Sequence, residues 1–473
     1  MVATSQPLAV EAALWALAEG GTAMDAAIAS DAVLGLTQPM STGIGGDLFC
    51  LVDDGNEVTG FNGSGAAPAA LALDACREPG AWNDRSPLAV TVPGAVDGWG
   101  RLAERYGRLG LSRVLEPARL LAEEGFPLGT ASAATWRAED KRMRADSPLP
   151  RQPGAGERVT NPDLAAALAD IADGGPQAHY GGRWGKAAVD AVGAAGGVLT
   201  VEDLTSHAGV WVDPISTEYR GHEVVEIPPN GQGAAVLGAL NELDAEPLGP
   251  ARDPHTVART MTAVRNGMEA AYEHVADPRF VAIPPFWAAR DTVYTAVVAD
   301  GMSVSLISSV FFAFGSGIWA GGTFLQNRGY GFSLEPGHPN AVEGGKRPFH
   351  TIIPGLVRRH ERAETVFGVV GGPMQPQGQV QVLTHLIDHG LDPQASLDEP
   401  RAFWLGSNLL ATEPGFEDDV AEALREAGFD VVADPVGSHW FGVGQVVRIH
   451  DDGWVEGGSD PRHDGIAVGR LDT

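Results

Sequence analysis

The chain has 473 residues and a formal net charge of −29, a balance that repels nucleic acid and anionic membranes and sets both aside as partners. Its hydrophobic fraction of 44% suits a packed globular protein and excludes a disordered one, and the length allows two or three ordinary domains or one large α/β body. The excess acid itself reads most simply as a solubility or salt adaptation.

In chain order, Leu8, Ala12 and Trp15 lie on one helical stripe over residues 8–18, and Gly20-Gly21 ends that helix. Thr22 followed by Asp25 forms a capping-box pattern and opens a second helix to about Leu36. Gly43-Ile44-Gly45-Gly46-Asp47 then turns the chain into an apolar strand, Leu48 to Val52. No Lys-Ser/Thr and no helix follow this glycine run, so it is not a phosphate loop. Residues 94–124 read as helical with short breaks, and 127–160 as an exposed connection rich in Pro, Gly and mixed charge. Further helices are expected at 163–172, 186–192 and 255–275, with a short strand at 223–227. From Thr292 onward strands and glycine turns dominate, with one clear helix near 418–427. Helices first and strands later point to a layered α+β protein with sheets inside.

The chemistry centres on a hairpin. Residues 292–298 are strand-like, Asp300-Gly301 is a type I′ turn signal, and 302–310 is the return strand. With Asp300-Gly301 as the loop, Val297 faces Val304, and Thr292 falls opposite Ser309. Opposed residues hold their Cβ atoms about 5 Å apart on one face. Counting alone therefore brings two hydroxyls together. An ordinary Thr–Ser sheet pair would look the same. Thr295, the rival nucleophile, points to the other face.

Several strings, taken in order, resemble the γ-glutamyltransferase family of N-terminal-nucleophile hydrolases. They include residues 3–9, 20–27, 43–46, 92–99 and 229–233, then Asp291-Thr292-Val293-Tyr294, Gln326-Asn327-Arg328-Gly329, Pro336-Gly337-His338-Pro339-Asn340, Gly371-Gly372-Pro373-Met374-Gln375-Pro376-Gln377 and residues 457–462. The resemblance covers nearly the whole chain. It implies a four-layer αββα sandwich built jointly from a large-chain part, 1–291, and a small-chain part, 292–473. It implies autocatalytic cleavage between Asp291 and Thr292, after which Thr292 is both nucleophile and, through its α-amine, base. Ser309 takes the position that orients that amine, and the amides of Met374 and Gln375 the position of the oxyanion donors. The two cleaved chains would stay associated, with a homodimer left open.

The sequence departs from the family pattern where the acyl group is gripped. Ala66 stands at the position of the arginine that binds the glutamyl carboxylate, and Phe311 replaces a side-chain amide. Gly331 replaces the acid that holds the α-ammonium, and His350-Thr351 the paired serines. Asp291-Thr292-Val293-Tyr294 and Met374-Gln375-Pro376-Gln377 resemble a divergent branch that includes oxamate amidohydrolase-like proteins. A small amide or acyl acid is thus the expected substrate, with water or an amine as acceptor. A conventional γ-glutamyl hydrolase or transpeptidase, and a catalytically silent homologue, are the alternatives. Arg328, His350 or Arg347 would supply the cation missing at Ala66. His338 and His350 sit in family-matched loops. No cofactor is expected, and no metal, because the 13 histidines form no ligand-like pairs. Cys50 and Cys76 make neither a disulfide framework nor a Cys-rich zinc site. No leader or membrane span is visible, so a cytoplasmic enzyme is expected.

Overall fold

The computed structural model describes residues 1–280, 292–433 and 441–470. Asp291 lies outside them, so half of the expected scissile pair is not described. A short strand, β1 (Val2–Thr4), leads into α1 (Pro7–Ala18), which has Pro7 in its first turn. The Thr22–Asp25 capping box forms in both directions and starts α2 (Ala23–Thr37). Every residue of α2 is buried. Its alanines let neighbouring elements approach from all sides, so it lies inside the helical layer.

Two sheets carry the rest. The strands that build the first are β1, β2 (Asp47–Asp53), β3 (Val58–Asn62) and β4 (Val210–Val212), then β7 (Val293–Ala299), β8 (Met302–Ser309) and β13 (Ile466–Val468). The second is built from β5 (Ile215–Tyr219), β6 (His222–Glu226), β9 (Gly355–Arg359), β10 (Arg362–Val370), β11 (Val443–Ile449) and β12 (Val455–Ser459). The first sheet runs in the order β13-β1-β7-β8-β2-β3-β4 and the second β12-β11-β10-β9-β6-β5. Strand β10 of the second sheet lies against β7 and β8 of the first. Helix α2 packs on the outer face of the first sheet. On the second lie α3 (Gly233–Asp244) and α5 (Met374–Ile387), with α4 (Pro254–His274) packed against both. The result is the expected αββα sandwich. Phe49, Leu51, Tyr294, Ile307 and Phe367 pack in one apolar cluster with the helices of the second sheet.

The β7–β8 hairpin has the counted register. Ala299 pairs with Met302, Val297 with Val304, and Val293 with Ser308. Asp300 and Gly301 both adopt positive φ, 50° and 78°, as a type I′ turn requires.

Two expectations need correction. Within the supposed connection 127–160, Thr130–Glu139 forms a helix whose Trp136 is fully buried. In the C-terminal part, α5 is a second long helix. Residues 374–386 are all buried, so no polar stripe marks it as helical, and its Pro and glutamines read as a loop. No helix among the described residues is long and apolar enough to cross a membrane.

Candidate active site

Thr292 stands just ahead of β7 and is 6% exposed. Its Oγ1 donates to Ser309 Oγ at 3.3 Å, so the hydroxyl pairing read from the hairpin is present. Ser309 ends β8, and its Oγ also accepts the Phe311 amide at 2.8 Å. That bond helps fix the turn in which Phe311 takes a φ of 83°, an outlier for a bulky side chain. Thr295 points away from this pair, donating to Thr4 Oγ1 at 3.1 Å.

A second group reaches the Thr292 hydroxyl. Gln375, in the first turn of α5, donates from Nε2 to Thr292 Oγ1 at 3.2 Å, and its Oε1 accepts the Ile353 amide at 3.0 Å. The sequence points to the backbone amides of Met374 and Gln375. In this continuous chain those amides close a turn onto Gly371 and Gly372 at 3.1 Å, and the Gln375 side chain is what touches the hydroxyl.

The Phe311 ring connects this pair to a buried cation. The Arg328 guanidinium lies over it, 4.0 Å from the centroid. Arg328 is fully buried, and Nη1 donates to Thr351 Oγ1 at 2.8 Å. Its Nε and Nη2 have no hydrogen-bond partner among the described residues. Gly331, three residues on, leaves no room for an acid: a Cβ there would lie 2.8 Å from the Phe349 carbonyl oxygen. Ala66 is half-buried and presents only a methyl group.

Beside Arg328 lies a charge that the sequence reading passed over. Asp47 opens β2 opposite Ser309 and is fully buried. Its Oδ1 accepts from Gly65 N at 3.2 Å, Gly94 N at 3.0 Å and Gln326 Nε2 at 2.9 Å. Its Oδ2 meets His350 Nε2 at 3.0 Å. The Ile352 amide points at His350 Nδ1 (3.4 Å), which places the ring proton on Nε2, donated to Asp47. Burial pushes the Asp47 carboxyl up to about 7, against the pull of Arg328 and of its hydrogen bonds. Burial also lowers Arg328 to about 9, with Asp47 opposing. His350 is held well below the ordinary imidazole range, first by burial and then by Arg328 and Arg347. One signal was available: an acid at the head of an otherwise apolar strand.

The structure therefore gathers Thr292, Ser309, Gln375, Phe311, Arg328, His350 and Thr351 into one connected site. Arg347 faces elsewhere, donating to the Ala208 carbonyl at 3.0 Å and through its amide to Asp277 at 2.8 Å. His338 accepts the Asn340 amide at 3.0 Å and shapes its own loop.

Two sheets between helical layers make an α+β sandwich with the layering of the N-terminal-nucleophile hydrolases. The family profile described as "Gamma-glutamyltranspeptidase" matches residues 9–289 and 287–470, and the chain belongs to that family. It is 34% identical to a glutathione hydrolase-like proenzyme of Bacillus subtilis, with 99% of this chain and 98% of the relative covered. It is 31% identical to the oxamate amidohydrolase proenzyme of Klebsiella pneumoniae, with the same coverage. The crystal structure of a cephalosporin acylase from Bacillus halodurans superposes with a TM-score of 0.92 at 36% identity, covering 100% of this chain and 96% of that one.

Proposed function

We propose that this chain cuts itself between Asp291 and Thr292 and then hydrolyses, or transfers to an amine, a small acyl group that carries a carboxylate. The observation that supports this most is Arg328: a buried guanidinium with two nitrogens unpartnered, joined to Thr292 through Phe311 and Ser309. A buried cation of this kind calls for an anion. Oxamate, which the Klebsiella relative's name gives as its substrate, is itself a carboxylate beside an amide.

Cleavage frees the α-amine of Thr292, whose ordinary pKa is about 7.7–8.0. That amine takes the proton of Oγ1 as the oxygen attacks the substrate carbonyl. Ser309 orients the pair, and Gln375 Nε2 donates to the developing oxyanion. The Met374 and Gln375 amides join it once the Gly371–Gly372 turn relaxes. The amine returns the proton to the departing nitrogen, leaving an acyl ester on Thr292. Water or an amine acceptor then attacks that ester, and the threonine is restored.

The test has two stages. Intact mass and Edman sequencing should find chains 1–291 and 292–473, the second reading Thr-Val-Tyr-Thr. One full-length chain would point to the silent homologue. The processed enzyme is then given matched glutaryl and γ-glutamyl p-nitroanilides, which differ only by the α-amine. The glutaryl compound should have the higher kcat/KM. A clear preference for the γ-glutamyl compound would overturn this reading in favour of conventional glutamyl chemistry.

A further inference from the structure

Arg328 has two claims on its charge. One is Asp47, which acts on it through space: no hydrogen bond or ion pair joins the two among the described residues. The other is whatever anion reaches Nε and Nη2. Asp47 is fixed in place. Three donors hold Oδ1, His350 holds Oδ2, and His350 adjoins Thr351, which binds Arg328 Nη1. The carboxylate cannot swing away when a second anion arrives. Two negative charges beside one buried cation raise the cost of keeping both ionised.

We propose that Asp47 is the resident counter-charge of Arg328, and that a substrate carboxylate displaces it electrostatically, the Asp47–His350 pair taking up one proton as the anion binds. The inference rests on the carboxylate-binding reading of Arg328 given above. It makes Asp47 a specificity-determining residue that never touches substrate. The proton comes from solvent and settles on Asp47 Oδ2; where it is donated to His350 Nε2, the ring proton moves to Nδ1 and the Ile352 amide gives up its contact there. No bond other than those to these protons is made or broken.

The charged and titratable groups bearing on Asp47 are Arg328 from the 326–331 loop, His350 and Arg347 from the 346–351 loop, and Tyr180 from the outer helices. Arg328 and Arg347 favour the ionised carboxylate, while burial opposes it. The α-amine that cleavage would free on Thr292, with an ordinary pKa of about 7.7–8.0, is the competing proton acceptor. The sign is plain. Below the pair's pKa Asp47 is already neutral, and anion affinity is flat. Above it, binding must first add a proton, so affinity falls about tenfold per pH unit.

The processed protein is titrated calorimetrically with glutarate at about pH 8, in buffers of unlike ionisation enthalpy, to count protons. We expect uptake approaching one proton. Asp47→Asn keeps an acceptor for the three Oδ1 donors. It should bind glutarate about tenfold more tightly than wild type at about pH 8, with little uptake. Arg328→Met should bind it weakly and without uptake, which holds even if the Asp47 variant does not fold. Uptake that persists in either variant assigns the proton to the Thr292 amine and overturns the inference. So does Arg328-dependent binding by wild type with no uptake. If Arg328→Met binds glutarate as tightly as wild type, the carboxylate reading itself fails, and this inference with it.

Discussion

Thr292 Oγ1 gives its hydrogen bond to Ser309 and receives one from Gln375, so its lone pairs and its proton are both directed before any substrate arrives. Thr292→Ala should remain a single chain of full mass and show no turnover. Ser309→Ala removes the bond from Thr292, worth about 1–1.5 kcal/mol, and should slow self-cleavage and turnover roughly tenfold; it also takes the acceptor from the buried Phe311 amide, so the variant should fold with a lowered Tm. Equal rates in that variant would count against its orienting role. Converting the acyl pocket is harder. Ala66→Arg alone should not confer γ-glutamyl activity, because the ammonium still has no partner. Adding Gly331→Asp drives a Cβ to 2.8 Å from the Phe349 carbonyl, and a melting curve should show a loss of about 1–3 kcal/mol. The hydroxyl pair is legible in the sequence because a two-residue turn fixes register and register fixes partners. Asp47 is not. Its role depends on four loops that meet only in three dimensions, and a glycine run hides it as a turn residue.

At the scale of elements, what decides the site is how closely β10 approaches β7. Gly368 of β10 lies under the Tyr294 ring, where an added Cβ would come within 2.5 Å of the ring carbons. Tyr294 is two residues beyond Thr292, and its hydroxyl is bonded to Ser305 at 2.8 Å. Gly368→Ala should therefore displace β7 as well as strain the core. We expect about 1–3 kcal/mol of lost stability by chemical denaturation, together with slower appearance of the 292–473 chain on gels. A variant that unfolds more easily yet matures at the normal rate would show that β7 tolerates the shift. Amphipathic helices and the hairpin are readable because one face differs from the other. Helix α5 is not, since burial on every side erases that contrast, and it is α5 that brings Gln375 to the hydroxyl.

For the whole molecule, the proposed break between residues 291 and 292 would fall inside the architecture. In the first sheet β1 of the leading part lies between β13 and β7 of the trailing part, and β8 of the trailing part pairs with β2 of the leading one. In the second sheet β9 pairs with β6 across the same division. Cleaved chains should consequently co-elute in gel filtration and lose structure in one urea transition. Separation without denaturant would contradict this interleaving.

The placing of β1 also sets a clock. Thr4 Oγ1 donates to the Tyr294 carbonyl at 2.7 Å, and Val2–Thr4 pairs on its other edge with Ile466–Val468. The strand that steadies β7 is made among the first, yet it finds one neighbour after nearly three hundred residues and the other only near residue 466. Long-range pairing of this kind is slow to assemble. On the proposed cleavage, maturation would act as a completeness check: a ribosome-bound chain stalled before residue 466 should stay uncut, and release of the finished chain should start the cut.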